Sequence, residues 1–409
     1  MISDSVIRAY VFIEGLDVSP IICGVYQLDI KNKQGYFGYG QSYLERQNAF
    51  PLDPIHLPLI KGTFKTNPHS EIFGVLRDAG PDSWGRRVIL SLHKTKPRNE
   101  IEFLLAGAGE GVGALMFSLS RSGTKPKKPR NQLSDIKSLI NIKESILTNG
   151  KITPEALKVF EQGSSMMIGG ARPKTTLVDK EINYIVKFNR NQDLFDNVMV
   201  EHATMKMLNE LEGRVAITKP ICSDIGNILL VERFDMNESR ITSHFISAAS
   251  LLEQTSNKVG KLEATQSYTY GALAEFIRHH GKQPEQSMEL YQRMVFNAFI
   301  GNVDDHTRNH AMLYDFVEEG WFLSPAYDVL PIKNEKSHSL GLGDDGRVAT
   351  IVNLLSQSKR FGLRTDKASK IIRNTRELVS SWPTYFKDEG VNDIDLSILE
   401  SVIPDIDSW

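Results

Sequence analysis

From residue 174 the sequence reads strand, strand, helix, strand and then almost continuous helix, and this switch limits the folds open to the chain more than any other feature. KTTLVD (174–179) and NYIVKF (183–188) are rich in β-branched and aromatic residues with a short break between them, which predicts a strand pair. FDNVMVEHATMKMLNELEG (195–213) sets Val200, Thr204, Met207 and Leu211 at helical spacing, and NILLVERFD (227–235) contains the apolar run of a buried strand. Past Ser243 the helical period dominates, as in GALAEFIRHHG (271–281) and SMELYQRMVFNAFIG (287–301). A small sheet-plus-helix lobe followed by a larger helical lobe leaves a cleft between them, and the expected class is α+β.

The residues before that switch form a different unit. Ile7–Gly15 and Ile22–Ile30 read as a hairpin, Arg77–Leu92 as a helix opened by Pro81 and Asp82, and Val112–Ser120 as a further strand. RSGTKPKKPRN (121–131) then loses both periods and reads as a linker. The expected division is a β-rich subdomain over 1–122, a linker over 123–133, a nucleotide-binding small lobe over 134–240 and a helical catalytic lobe over 241–409. The sequence shows no internal repeat at solenoid periods.

Composition removes several classes. A formal net charge of −2 over 409 residues offers no global field for nucleic acid. Cys23 and Cys222 lie far apart without ligand-spaced neighbours, which argues against a disulfide framework and a zinc ribbon. The opening MISDSVIRAYVFIEG has no long apolar run, so neither a signal peptide nor a membrane span is expected, and the location expected is cytoplasmic.

The chemistry concentrates in GNVDDHTRNHAMLYD (301–315) and SPAYDVLP (324–331). Asp304 precedes Asn309 by five residues and Asp328 follows, the spacing used where one carboxylate orients a hydroxyl while an amide and a second carboxylate hold Mg²⁺ on phosphates. Upstream, Lys187 sits on a strand between Val186 and Phe188, a costly place unless paired, and Glu201 on the next helix offers the partner. GSSMMIGGARPK (163–174) could bring backbone amides, Arg172 and Lys174 to phosphate oxygens, although it lacks a Walker ending. Glu232–Asp235 reads as the connector between lobes, and Gly107–Gly113 as a turn. His306 and His310 stand four apart but outside any helical apolar stripe, so His306 is expected to brace the catalytic loop rather than bind zinc. The run from Lys359 to Arg376 holds seven basic residues against Asp366, a possible contact for a phosphate backbone or a solvated helix face.

Taken in order, YLERQNAFPLDP, LRDAGPDSWGRR, GGARPK, IVKF, VERFD, GNVDDHTRN and SPAYD resemble the HipA family, bacterial serine/threonine protein kinases that act as toxins of toxin-antitoxin modules. The resemblance implies a two-lobed protein-kinase-like core with an N-terminal β-rich subdomain and a mostly helical C-terminal lobe, using ATP and Mg²⁺. It implies Asp304 as the catalytic carboxylate, Asn309 and Asp328 as metal ligands, and Glu201 as the structural ion-pair partner. ATP would be met by Gly169, Gly170, Ala171, Arg172, Lys174, Lys187, Glu232, Arg233, Phe234, His306, Arg308 and Asn309. Where the family has an autophosphorylated serine this chain has Met167, and Ser164 or Ser165 is expected to take that role. The expected partners are a helix-turn-helix antitoxin of HipB type, a protein substrate tied to translation, and DNA, reached through the antitoxin or the 359–376 stretch. A kinase-like corepressor and a small-molecule kinase are the competing readings.

Overall fold

The computed structural model describes residues 6–68, 70–92, 95–107, 111–125, 129–148, 153–162, 173–211, 213–222, 226–253, 268–333, 337–406 and 409. The first sheet holds β1 (Val6–Ile13), β2 (Ile21–Asp29), β3 (Gln34–Tyr39), β4 (Phe64–Lys65) and β5 (Leu115–Ser118), antiparallel in the order β4-β3-β2-β1-β5. Its inward face follows the two-residue period of a strand: Ala9, Val11 and Ile13 are all fully buried. Between β3 and β5 run α1 (Gln41–Leu44), α2 (Gly74–Asp78), α3 (Ser83–Leu92) and α4 (Glu100–Ala106). Asp82 starts α3 by accepting the Gly85 N–H at 3.1 Å, and Asn99 caps α4 through the Glu102 N–H at 3.0 Å.

The expected linker ends as part of the next sheet. The Asn131 carbonyl accepts the Val178 N–H at 2.8 Å, and Arg130 reaches the Asn183 side chain at 2.5 Å. Helices α5 (Ile136–Thr148) and α6 (Pro154–Gln162) follow. One side of α5 packs Leu139, Ile142 and Ile146 on Trp84 and Val88 of α3, while Ile136 and Ile140 pack on Leu177, Val186 and Leu230 of the small lobe. A single amphipathic helix therefore staples the first subdomain to the lobe behind it.

The small lobe contains β6 (Lys174–Asp179), β7 (Ile182–Phe188), α7 (Asn197–Asn209), β8 (Thr218–Ile221) and β9 (Ile228–Glu232), its sheet ordered β6-β7-β9-β8. Asp196 caps α7 through the Val198 and Met199 N–H groups. Val200, Thr204 and Met207 form the expected buried stripe, but Leu211 lies beyond the helix and is half-buried. The short hairpin β10 (Met236–Asn237) and β11 (Arg240–Ile241) leads to β12 (Ser243–Ser247), α8 (Ala248–Leu251), α9 (Tyr270–His280) and α10 (Gln286–Ile300). Strands β13 (Ala311–Asp315) and β14 (Gly320–Leu323) complete a second antiparallel sheet, β12-β13-β14, inside the lobe that sequence period marks as helical. The lobe continues with α11 (Ile351–Ser356), α12 (Thr365–Ser380), α13 (Trp382–Asp388) and α14 (Asp393–Leu399) around α10, which is buried on nearly every side. Among the described residues no helix is long and apolar enough to cross a membrane.

Two polar joints lock the first subdomain onto the large lobe and onto the Glu232–Asp235 segment. The Asp78 carboxylate accepts hydrogen bonds from the Ser247 N–H at 2.8 Å and from the hydroxyls of Ser247 at 2.9 Å and Ser250 at 2.7 Å. The Gly113 N–H donates to Asp235 at 2.6 Å, and Arg233 links Asp235 to the Gly111 carbonyl at 3.1 Å. The described part of the glycine-rich turn is thus a docking point. Gly113 has φ +72°, and a Cβ there would lie 2.7 Å from Phe245 N and Cβ. Gly113→Ala should destabilise the protein by about 2 kcal/mol in denaturant unfolding, whereas Gly123→Ala should stay within about 0.5 kcal/mol. The control is apt because a Cβ at Gly123 meets nothing within 4 Å.

Candidate active site

The sequence folds four distant segments onto one cluster of charges. Lys187 points from β7 to Glu201 on α7, forming a close ion pair, and to Asp328 Oδ1 at 2.6 Å. Lys174, the first residue of β6, stands directly opposite Lys187 in the register and places its Nζ 3.8 Å from Asp328 Oδ2. Glu201 is the innermost member, with a side chain 6 % exposed, and Asp328 the outermost at 27 %. Burial works to raise the Asp328 carboxyl, but Lys174 and Lys187 outweigh it and hold it far below the usual carboxylate range. Burial lowers the Lys174 ammonium, and the facing Lys187 adds to that, with Asp328 acting against both.

The loop that carries Asp304 is built by the end of α10. Gly301 terminates that helix at φ +77°, where a Cβ would approach Pro404 at 2.8 Å, so a glycine is required. Asp304 is exposed on the turn that follows. Its neighbour Asp305 is 2 % exposed, accepting hydrogen bonds from the Tyr270 hydroxyl and from Asn297 Nδ2 at 3.0 Å, with His310 Nε2 at 2.7 Å. A single 3-10 turn, Thr307–Asn309, brings Asn309 inward to 7 % exposure. The His306 carbonyl closes this turn by accepting the Asn309 N–H at 2.8 Å. The exposed Arg308 is tied by its backbone, since its carbonyl accepts the Tyr327 hydroxyl at 2.8 Å. The β13–β14 hairpin then returns the chain to Asp328, whose φ of +61° is a left-handed conformation that aspartate tolerates better than most residues.

Lys174, Lys187, Glu201 and Asp328 are therefore brought together, with Tyr327 linking the Asp328 segment to the loop that carries Asp304, His306, Arg308 and Asn309. Of the connector, Phe234 lies against Tyr327 with ring centroids 5.6 Å apart. Arg233 has its buried guanidinium engaged by Asp235 and Gly111, and its N–H donates to the Asn183 carbonyl at 2.9 Å. Gly169, Gly170, Ala171, Arg172, Ser164 and Ser165 lie outside the described residues. Sequence reading missed Asp305, whose one signal was a histidine five residues on, and it took Asp82 only as a helix start. Burial pushes the Asp82 carboxyl up while Gly85, Lys174 and Arg308 pull it down, and its Oδ2 is buried without a hydrogen-bond partner.

Among the described residues no three His, Cys, Asp or Glu side chains gather as a metal cage. Asp328 and Asn309 offer hard oxygen donors of the kind that suits Mg²⁺, which keeps waters and shares its coordination between one or two carboxylates and substrate phosphates.

Comparison with known proteins agrees with this architecture. The HipA N-terminal domain family matches residues 24–118, and the HipA-like C-terminal domain family matches residues 166–382. A kinase-named protein of Haemophilus influenzae is 26 % identical over 192 residues, a match that takes in 42 % of this chain and 54 % of that protein, about half its length. The solved structure of Shewanella oneidensis HipA, in complex with HipB and operator DNA, superposes with a TM-score of 0.68 at 17 % identity, covering 96 % of this chain and 94 % of that one. Both domains are present in order, and the second alone spans more than half of the sequence, so the chain belongs to the HipA family.

Proposed function

We propose that this HipA-family chain is an ATP-dependent serine/threonine protein kinase, the toxin of a HipA/HipB-like toxin-antitoxin system. The observation that carries the proposal is the meeting of Lys187 with both Glu201 and Asp328, joined to a loop that leaves Asp304 exposed. In this reading Lys174 and Lys187 engage the phosphates together with Gly169, Gly170, Ala171 and Arg172, and Glu232, Arg233 and Phe234 frame the base. Mg²⁺ held by Asn309 and Asp328 would neutralise phosphate charge. Asp304 would accept the proton of a substrate hydroxyl as its oxygen bonds to the γ-phosphorus and the bond to the ADP oxygen breaks.

A cytoplasmic, translation-related protein is the proposed substrate, and a helix-turn-helix antitoxin the proposed partner, as in the Shewanella complex with HipB and operator DNA. A second reading, a corepressor that also meets DNA, is favoured by α12, where Lys367, Lys370 and Arg373 are exposed. Of the rest of that run, Lys359 and Arg364 are exposed as well, whereas Arg360 is paired with Glu275 at 2.7 Å and Arg376 donates to the Ile406 carbonyl. Incubation with labelled ATP and a cell lysate separates the readings. An Asp304-dependent labelled protein supports the kinase, a labelled small molecule the alternative enzyme, and absence of label the corepressor. Mass spectrometry of the same sample should place the chain's own phosphate on Ser164 or Ser165, and phosphate found only elsewhere would remove that assignment.

A further inference from the structure

Two lysines face each other across β6 and β7, Lys174 against Lys187, with side chains only 13 % and 11 % exposed. Like charges directly opposite in a sheet repel, and poor solvation strengthens the repulsion. Two carboxylates balance them, and the two are not equivalent. Glu201 lies on the inner side and pairs with Lys187. Asp328 lies on the outer side and divides its oxygens between the lysines, Oδ1 at 2.6 Å from Lys187 and Oδ2 at 3.8 Å from Lys174. An aspartate with one oxygen toward each of two lysines holds the position that a phosphate needs.

We propose that Asp328 is the internal competitor of nucleotide phosphates for Lys174 and Lys187, and that this competition makes the cleft select metal-complexed over metal-free nucleotide. The inference rests on the nucleotide-site reading above and adds to it a role for Asp328 that operates without metal. Phosphates that take both lysines leave Asp328, a side chain 27 % exposed, with neither lysine beside it and with further negative charge facing it, which is unfavourable. A divalent cation carried in by the nucleotide gives the displaced carboxylate a new partner. Metal-free nucleotide brings none, so its binding bears the full cost of that displacement. Glu201 makes no such exchange, because it lies behind Lys187 and keeps that contact throughout.

The test is ATP affinity by calorimetry, in EDTA and in excess Mg²⁺, for the native chain, Asp328→Asn and Glu201→Gln. Asparagine keeps the shape of the side chain and tolerates the left-handed backbone, so the first variant removes little but the charge. Asp328→Asn should bind metal-free ATP about tenfold tighter than the native chain, a gain of about 1.4 kcal/mol, and the tightening by Mg²⁺ should shrink by at least as much. Glu201→Gln, which removes one negative charge from the same lysine, should not tighten metal-free binding. Equal tightening in both variants would reduce the effect to net charge and overturn the proposal, as would an Asp328→Asn variant that binds metal-free ATP no more tightly than the native chain. If none of the three proteins binds ATP under either condition, the nucleotide reading itself falls, a result distinct from the other two. Should Asp328→Asn be too unstable for calorimetry, pyrophosphate in EDTA should raise its melting temperature more than that of the native chain, by restoring an anion between the lysines, and equal shifts would again overturn the proposal.

Discussion

Replacing Asp304 with Asn is expected to leave ATP binding within about twofold and to lower phosphoryl transfer by about 10²- to 10⁴-fold, the usual contribution of a positioned proton acceptor. The expectation comes from a division of labour within the loop. Lys174 and Lys187 are the cations proposed to meet the phosphates, and neither is paired to Asp304. Asp304 is exposed, while the backbone on both sides is fixed by the Gly301 helix end, by Ser339 donating to the Val303 carbonyl at 2.9 Å and by Asn309 donating to the His306 carbonyl. A carboxylate held on a rigid turn and open to solvent can orient an incoming hydroxyl without moving first. Asparagine keeps the size of the side chain and cannot accept the proton. Single-turnover transfer from labelled ATP, read beside an independent binding constant, separates the two effects. A variant that transfers at the native rate would remove Asp304 from the chemistry, and one that loses ATP binding equally would make the loop a binding element.

The parts of this site that sequence made legible are those fixed by local pattern. Lys187 could be placed on a strand and Glu201 on the following helix because apolar period specifies each element from nearby residues. What remained hidden depends on register and on contacts between distant segments. That Lys174 faces Lys187 follows from how β6 pairs with β7, a choice set by which face of the sheet is buried. The engagement of Arg233 by Asp235 and Gly111 required knowing that a turn more than a hundred residues earlier docks against the connector. The β12–β13–β14 sheet was masked because strands buried within a helical lobe show short apolar runs that period alone does not separate from helix. Two adjacent aspartates also look alike in sequence, and only packing tells the exposed Asp304 from the buried Asp305.

That contrast gives the second large effect. Asp305→Ala is expected to cost about 3–5 kcal/mol of stability, because it leaves the Tyr270 hydroxyl, Asn297 Nδ2 and His310 Nε2 without their shared acceptor in the interior. Asp304→Ala, on the exposed neighbour, should stay within about 0.5 kcal/mol. Acid titration supplies an independent check. Burial alone would raise the Asp305 carboxyl, but His310 and the hydrogen bonds from His310 and Tyr270 outweigh it and hold it below its ordinary value. A group depressed in the folded state stabilises fully above its unfolded pKa, about 3.9, and loses that contribution as pH falls through the lower folded value. The stability gap between the native chain and Asp305→Ala should therefore be constant near neutrality and narrow below about pH 4. A gap that widens in acid, or an Asp304→Ala variant as unstable as Asp305→Ala, would contradict this assignment. If the gap narrows as expected, the second aspartate of the pair holds the loop in place by accepting three hydrogen bonds at once, and the first stays exposed, as its proposed role requires.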